Sequence, residues 1–275
     1  MPPVGDRGLA YAPGSMNIDV TGRRAVVTGA SKGIGAETVR ALAESGASVA
    51  FCARGAEGVE ALVAATKGSP VRGYVADASA PADLDRFLDA AEADLGGPAD
   101  ILVNIAGASP SRNFLHMSDE DWEDLFRLNL LSAVRCSRRV LPAMRKQRWG
   151  RIVNIASSAA RYPNPATIDY AASKAAMLAM SKALARKYGA DNVLVNAVNP
   201  GLILTPMWER AAGEIAAASG RTMEAVLDTM SATVPLGRYG TAREVADVIV
   251  FLCSEQASYV AGTVIEVDGA SAVGV

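Results

Sequence analysis

One histidine, three cysteines and no long apolar run in 275 residues exclude several kinds of protein at once. A single imidazole, His116, cannot assemble a metal site alone, and a loop or surface position suits it better than catalysis. Cys52, Cys136 and Cys253 are odd in number, far apart and form no Cys-x-x-Cys unit. They read as small apolar thiols in a reducing compartment, which predicts a cytoplasmic protein. No stretch reaches the roughly 20 apolar residues of a membrane span, so no membrane partner is expected. The N-terminus has no basic region followed by an apolar core, and no signal peptide is expected. Basic and acidic residues nearly balance at 27 and 29, without a basic block, which argues against nucleic acid as a partner.

What is present is hydrophobic residue, at half of the chain. That suffices for a large buried core in one α/β domain or two small ones. Residues Met1 to about Ser15 are rich in Pro and Gly, lack periodicity and read as a mobile tail. Met16-Asn17-Ile18-Asp19-Val20 is a more ordinary start, and translation beginning at Met16 is an expectation that native mass spectrometry would decide.

The run Arg24-Ala25-Val26-Val27-Thr28 predicts a buried strand. It enters Gly29-Ala30-Ser31-Lys32-Gly33-Ile34-Gly35, followed by a helix predicted over Ala36–Ser45 and a second strand over Ser48–Ala53. Strand, glycine turn, helix and strand make a βαβ unit. Glycines there let the turn bend tightly and let backbone N–H groups approach a pyrophosphate at the helix N-terminus. The second strand ends Cys52-Ala53-Arg54-Gly55, without the acid that would hold an adenosine ribose. Arg54 and Lys32 place two cations where a 2′-phosphate would sit, so NADP(H) is expected, with NAD(H) the alternative.

The alternation continues to the end. Strands are predicted at Val71–Val75, Asp100–Asn104, Gly150–Ser158, Asn192–Val198 and Thr263–Val267. Helices are predicted at Ala82–Leu95, Glu120–Arg145 with a kink near Pro142, the segment around Tyr170, and Ala242–Leu252. Residues 206–236, rich in Ala and Met with polar breaks, read as a substrate lid. No linker divides the chain, which predicts one α/β domain over residues 16–275, a parallel sheet covered on both faces.

Tyr170 and Lys174 lie four apart in an Ala-, Met- and Leu-rich segment, so they share a helix face. An ammonium fixed beside a phenol favours the phenolate and makes a tuned general acid/base.

With these residues in view, the chain resembles the short-chain dehydrogenase/reductase family over about Asn17 to Gly269. The resemblance is carried by Thr28-Gly29-x-x-x-Gly33-x-Gly35, Asn104-x-Ala106-Gly107, Ser157, Tyr170-x-x-x-Lys174, and Asn199-Pro200-Gly201 with Thr205. It implies a doubly wound Rossmann-type fold, an oxidoreductase interconverting a small-molecule ketone and a secondary alcohol, and a homotetramer. It implies that Tyr170 is the catalytic acid or base, that Lys174 lowers its pKa and holds the nicotinamide ribose, and that Ser157 holds the substrate oxygen. Asn129 would support a water-linked proton path through the lysine. The implied cofactor contacts are Gly29, Ser31, Lys32, Gly33, Ile34, Gly35, Arg54, Asp77 and Ala78 on the adenosine side. Asn104, Ala106, Gly107, Tyr170, Lys174, Pro200, Gly201, Ile203 and Thr205 complete them, with Asp77 against adenine and Thr205 on the carboxamide. Ile105 departs from the pattern, which has a second asparagine there.

Within the family the likeness is to 3-oxoacyl-acyl-carrier-protein reductases. Arg148 matches one of the two basic residues that meet their acidic carrier, but the second falls at Asp191, an acid. A carrier would be repelled there. A general ketone or alcohol oxidoreductase is therefore preferred, with the carrier-linked reductase as the alternative. A catalytically silent sensor or structural subunit is the reading from another class, and the whole catalytic set argues against it. Specificity is expected from Ser109–Leu115 and from Met207, Trp208, Met223 and Met230, which either line an apolar pocket or pack the lid.

Overall fold

Short runs of Val, Ile, Leu and Ala without polar alternation become strands buried on both faces. The computed structural model describes residues 18–272. The terminal tail and the start at Met16 lie outside the described residues. In chain order the elements begin β1 (Arg24–Thr28), α1 (Gly33–Glu44), β2 (Ser48–Ala53), α2 (Ala56–Ala65), β3 (Val71–Val75), α3 (Pro81–Asp94) and β4 (Ile101–Asn104). Next come α4 (Asp119–Phe126), a π turn (Arg127–Leu131), α5 (Ser132–Gln147), β5 (Gly150–Ile155), α6 (Ile168–Tyr188) and β6 (Val193–Pro200). The chain ends with β7 (Ile203–Leu204), α7 (Pro206–Ser219), α8 (Met223–Ser231), β8 (Gly240–Thr241), α9 (Ala242–Cys253) and β9 (Val264–Val267).

Seven strands form one parallel sheet in the order β3-β2-β1-β4-β5-β6-β9. Val39 and Leu42 of α1, Val59 and Leu62 of α2, and Val245 and Ile249 of α9 pack one face. Leu84 and Phe87 of α3, Cys136 and Val140 of α5, and Ala185 of α6 pack the other. The strand order reverses between β1 and β4, so their carboxyl ends open a crevice where ligands bind in this architecture. Among the described residues no helix is long and apolar enough to cross a membrane.

The expected strands and helices form, with ends shifted by a few residues. The sequence reading leaves α2 and the short β7–β8 pair unassigned; two-residue strands carry no periodicity to read. One expectation needs correction. The helix predicted over Glu120–Arg145 is broken by the π turn at Asn129, while α5 runs on through Pro142. Pro142 faces solvent, where water can take up the carbonyl that its missing N–H frees. Asn129 is fully buried and tied to neighbouring segments, and the extra residue of a π turn accommodates it.

A buried polar thread fixes α6 on the sheet. Asn104 Nδ2 donates to Asn154 Oδ1 (2.8 Å), directly opposite on β5, and Asn154 Nδ2 donates to Ser181 Oγ on α6 (2.8 Å). Ser181 in turn donates to the Met177 carbonyl at 2.7 Å. Asn154→Ala strands the Asn104 donor in the interior and leaves Ser181 without its donor. The expected loss is about 2–4 kcal/mol in urea unfolding; a loss under about 0.5 kcal/mol would remove the thread from the account.

Candidate active site

Tyr170 and Lys174 occupy the first turns of α6, at the carboxyl end of the sheet. Tyr170 is half-buried and Lys174 is 3% exposed. The Lys174 Nζ lies 5.9 Å from the Tyr170 ring centre and donates to the Ile155 carbonyl at the end of β5 (2.7 Å). Ser157 follows that strand end and caps a short 3-10 turn by accepting from Ala159 N–H (3.2 Å); its side chain is near enough to Tyr170 to oppose the rise of the phenol's pKa. Of the two neighbouring serines, Ser157 is the one whose side chain bears on the tyrosine's acidity.

Electrostatics at this pair differ from the sequence expectation. Burial pushes the Tyr170 phenol up from its ordinary value, opposed by the Ser157 side chain. Lys174, desolvated and without a carboxylate partner among the described residues, is pulled down to about 8. Its proton is already directed at a carbonyl, so desolvation outweighs any lowering of the phenol by the ammonium.

Asn129 uses its whole amide. Nδ2 donates to the Ala108 carbonyl (3.0 Å) and to Ser173 Oγ (3.1 Å), and Oδ1 accepts from Ala108 N–H (2.9 Å). Ser173 passes the link on to the Tyr170 carbonyl at 2.7 Å. Gly107 lies between Asn129 and the lysine: a Cβ there would stand 3.1 Å from Asn129 Oδ1 and 3.4 Å from Lys174 Nζ.

The glycine turn closes the other side of the crevice. A Cβ on Gly35 would meet the Gly29 carbonyl oxygen at 2.5 Å, and one on Gly29 would meet Ala106 Cα at 2.6 Å, so neither position admits a side chain. Thr28 Oγ1 accepts from Ile105 and Ala106 N–H (3.2 and 3.3 Å), tying the ends of β1 and β4. The first turn of α1 has no side-chain cap, which leaves its N–H groups to an anion. Lys32 and Arg54 are exposed and carry no ion pair among the described residues. These residues fit a dinucleotide: a backbone cradle for the pyrophosphate, two free cations at the adenosine end, and a lysine at the nicotinamide end.

The other expected contacts divide. Ser31 and Ile34 lie in or just after the turn, half-buried, and Gly33 faces Thr205. Asp77 accepts from Ser79 N–H and Oγ (2.8 Å each), beside buried Ala78. Pro200 ends β6, and Gly201 N–H donates to Val267 at 3.0 Å. Thr205 holds the N-cap position of α7, yet its hydroxyl makes no capping bond. Two side chains turn away. Ile203 is buried in the core, which leaves only its backbone for a ligand, and Asn104 spends Nδ2 on Asn154 while its buried Oδ1 has no partner among the described residues. Ile105 packs on the core in place of an amide. In the 206–236 segment Met207 and Met223 are exposed, whereas Met230 packs with Ala212, Ala216 and Val226. Sequence reasoning passed over the Ile155 carbonyl, Ala108, Ser173 and Asp169. Ser173 had a legible signal, three residues after Tyr170 on the same helix.

Comparison with known proteins places this geometry. The family profile described as Enoyl-(Acyl carrier protein) reductase matches residues 29–270. The 3-oxoacyl-acyl-carrier-protein reductase of Thermotoga maritima is 37% identical over 252 residues, covering 90% of this chain and 97% of the relative. Nodulation protein G of Rhizobium sp. strain N33 is 38% identical over 255 residues, covering 93% and 99%. The crystal structure of L-sorbose reductase from Gluconobacter frateurii, complexed with NADPH and L-sorbose, superposes with a TM-score of 0.90 at 33% identity, covering 94% of this chain and 100% of that one.

The lysine makes a pH prediction. Unfolded, Lys174 holds its proton to its ordinary value of 10.5; folded, it releases it near 8. Across that window the unfolded state binds more protons, so stability rises with pH from this group. Tyr170 acts oppositely: its raised folded value removes stability once pH passes the ordinary 10.0. Lys174→Met should therefore melt higher than the parent at pH 7 and lose the rise seen from about pH 8 to 10. A variant that melts lower at pH 7 and keeps the rise contradicts the assignment.

Proposed function

This chain belongs to the short-chain dehydrogenase/reductase family of oxidoreductases, and on that premise we propose that it interconverts a small ketone and its secondary alcohol using NADP(H). The observation that carries the reading is the buried ammonium of Lys174, kept beside Tyr170 with no carboxylate among the described residues to neutralise it. Such a charge destabilises the fold and has a use only if chemistry needs it.

The dinucleotide, when bound, supplies or accepts the hydride. The protein's part is to place hydroxyls and move one proton. Ser157 and Tyr170 direct hydrogen bonds to the substrate oxygen as charge grows on it. Tyr170 gives that oxygen its proton in reduction and takes it back in oxidation. Lys174 has three donors and spends one on Ile155, which leaves two for the nicotinamide ribose and for water beside Gly107. Asn129, across Gly107, lines that water path and holds Ala108 and Ser173 in place.

Lys32 and Arg54 select the 2′-phosphate, a reading supported by the NADPH in the L-sorbose reductase complex; NAD(H) is the weaker cofactor. A free small ketone is favoured over a carrier-linked one. Arg148 donates to Asp191 (3.3 Å), and Arg145 also pairs with it (2.7 Å), so an acid stands inside the surface that would greet an acidic carrier and shares its basic groups. The names of the curated relatives keep the 3-oxoacyl-carrier substrate as the second reading. Residues 206–236 act as the lid; α7 and α8 pack on each other through a small cluster and move as a unit. A homotetramer and a cytoplasmic site complete the proposal, the latter suggested by three buried free thiols.

Two measurements test it. Tyr170→Phe should abolish turnover on a ketone panel while NADPH binding stays near the parent value; turnover near the parent rate would sink the reading. Arg54→Asp should weaken NADPH about tenfold to a hundredfold and spare NADH; an unchanged preference would move the phosphate site elsewhere.

A further inference from the structure

The Ser109–Leu115 segment contains one arginine, and it is half-buried and paired rather than solvated as a loop cation normally is. Arg112 Nη1 donates to Asp169 Oδ2 at 3.0 Å and to the Asp121 carbonyl at 3.3 Å, while Nη2 pairs with Asp121 Oδ1 at 3.3 Å. Its backbone N–H donates to the Ala166 carbonyl at 3.3 Å. One guanidinium therefore joins the loop after β4, the first turn of α4 and the first turn of α6.

Asp169 is the unusual partner. It is fully buried, directly precedes Tyr170, and accepts from the Tyr170 backbone N–H at 2.8 Å through Oδ1. A buried carboxylate requires a counter-charge, and among the described residues Arg112 is the only basic group paired with it. The other basic groups on elements packed against α6 are paired elsewhere, and the charges of α4 left without an ion pair among the described residues, Asp119 and Glu120, are acids that cannot serve Asp169. Arg127 pairs with Asp124 and Glu123, Arg161 with Glu266, Arg151 with Glu255, and Asp191 with Arg145 and Arg148.

We propose that Arg112 is a positioning residue: by clamping Asp169, it fixes the first turn of α6 and so sets where the Tyr170 hydroxyl stands relative to Ser157. This rests on the reading of Tyr170 as acid/base. The planar fork suits the task, because two parallel edges reach two acids on different elements. The clamp also orders the loop that borders the substrate, so substrate-side and catalytic geometry are tied by one side chain.

The test uses the full chain, with ketone reduction read as kcat and KM and with the NADPH dissociation constant measured separately. Arg112→Leu should lower kcat about tenfold to a hundredfold, the scale of a displaced catalytic group. NADPH affinity should stay within about threefold, since a merely loosened fold would weaken both. Arg112→Lys should recover part of kcat. The double variant Arg112→Leu with Asp169→Asn should lose no more than Arg112→Leu alone, as two residues of one interaction do. A folded Arg112→Leu with kcat within about twofold of the parent overturns the proposal, as does a rise in KM alone. If Arg112→Leu does not fold, Arg112→Lys and Asp169→Asn decide, and parent-like kcat in both overturns it. Tyr170→Phe in parallel separates the two failures: an inactive Tyr170→Phe beside a fully active Arg112→Leu rejects only the clamp.

Discussion

A positive charge held out of water, with a peptide carbonyl and the face of a phenol for company, is the constraint around which the crevice is arranged. Lys174 sits on α6, and its head group can reach the Ile155 oxygen only if α6 lies on β5 in one register. The buried thread from Asn104 through Asn154 to Ser181 holds that register two turns further along the same helix. Strand ends, helix and serine turn are thus located by a few directional bonds, while the apolar core beneath supplies the bulk of the stabilisation.

Most of the architecture was legible because the sheet is parallel. Strands buried on both faces write themselves as short apolar runs, and the helices between them carry a visible apolar side. The Tyr170–Lys174 spacing and the glycine turn were equally readable, since each is a local pattern with a local geometric cause. The rest depended on what lay opposite. Nothing along the chain says that Ile203 turns into the core under Gly240, or that Asn104 faces Asn154 across a strand pair. The proline at 142 looked like the place for a kink, whereas the helix yields at Asn129, where a buried amide must meet Ala108 and Ser173 together.

Charge behaved least as the linear pattern suggested. The ammonium beside Tyr170 was expected to drag the phenol down, and dehydration of both groups dominates instead. Asp191 looked like a repulsive acid on an open surface and proves to be the anchor for two arginines. Asp169, which the sequence reading passed over, proves to be sealed from solvent under Arg112. In each case burial and pairing decide the chemistry, and neither can be read from one residue type at one position.

The hairpin of α7 and α8 brings its own nucleus, Ala212, Ala216, Val226 and Met230, and joins the body through the two-residue strand β7. Because these apolar contacts stay within the hairpin, its outer surface can be redrawn by mutation without disturbing the sheet on which α6 rests. Descendants of such a scaffold are free to diverge in what they admit long before they diverge in what they do to it.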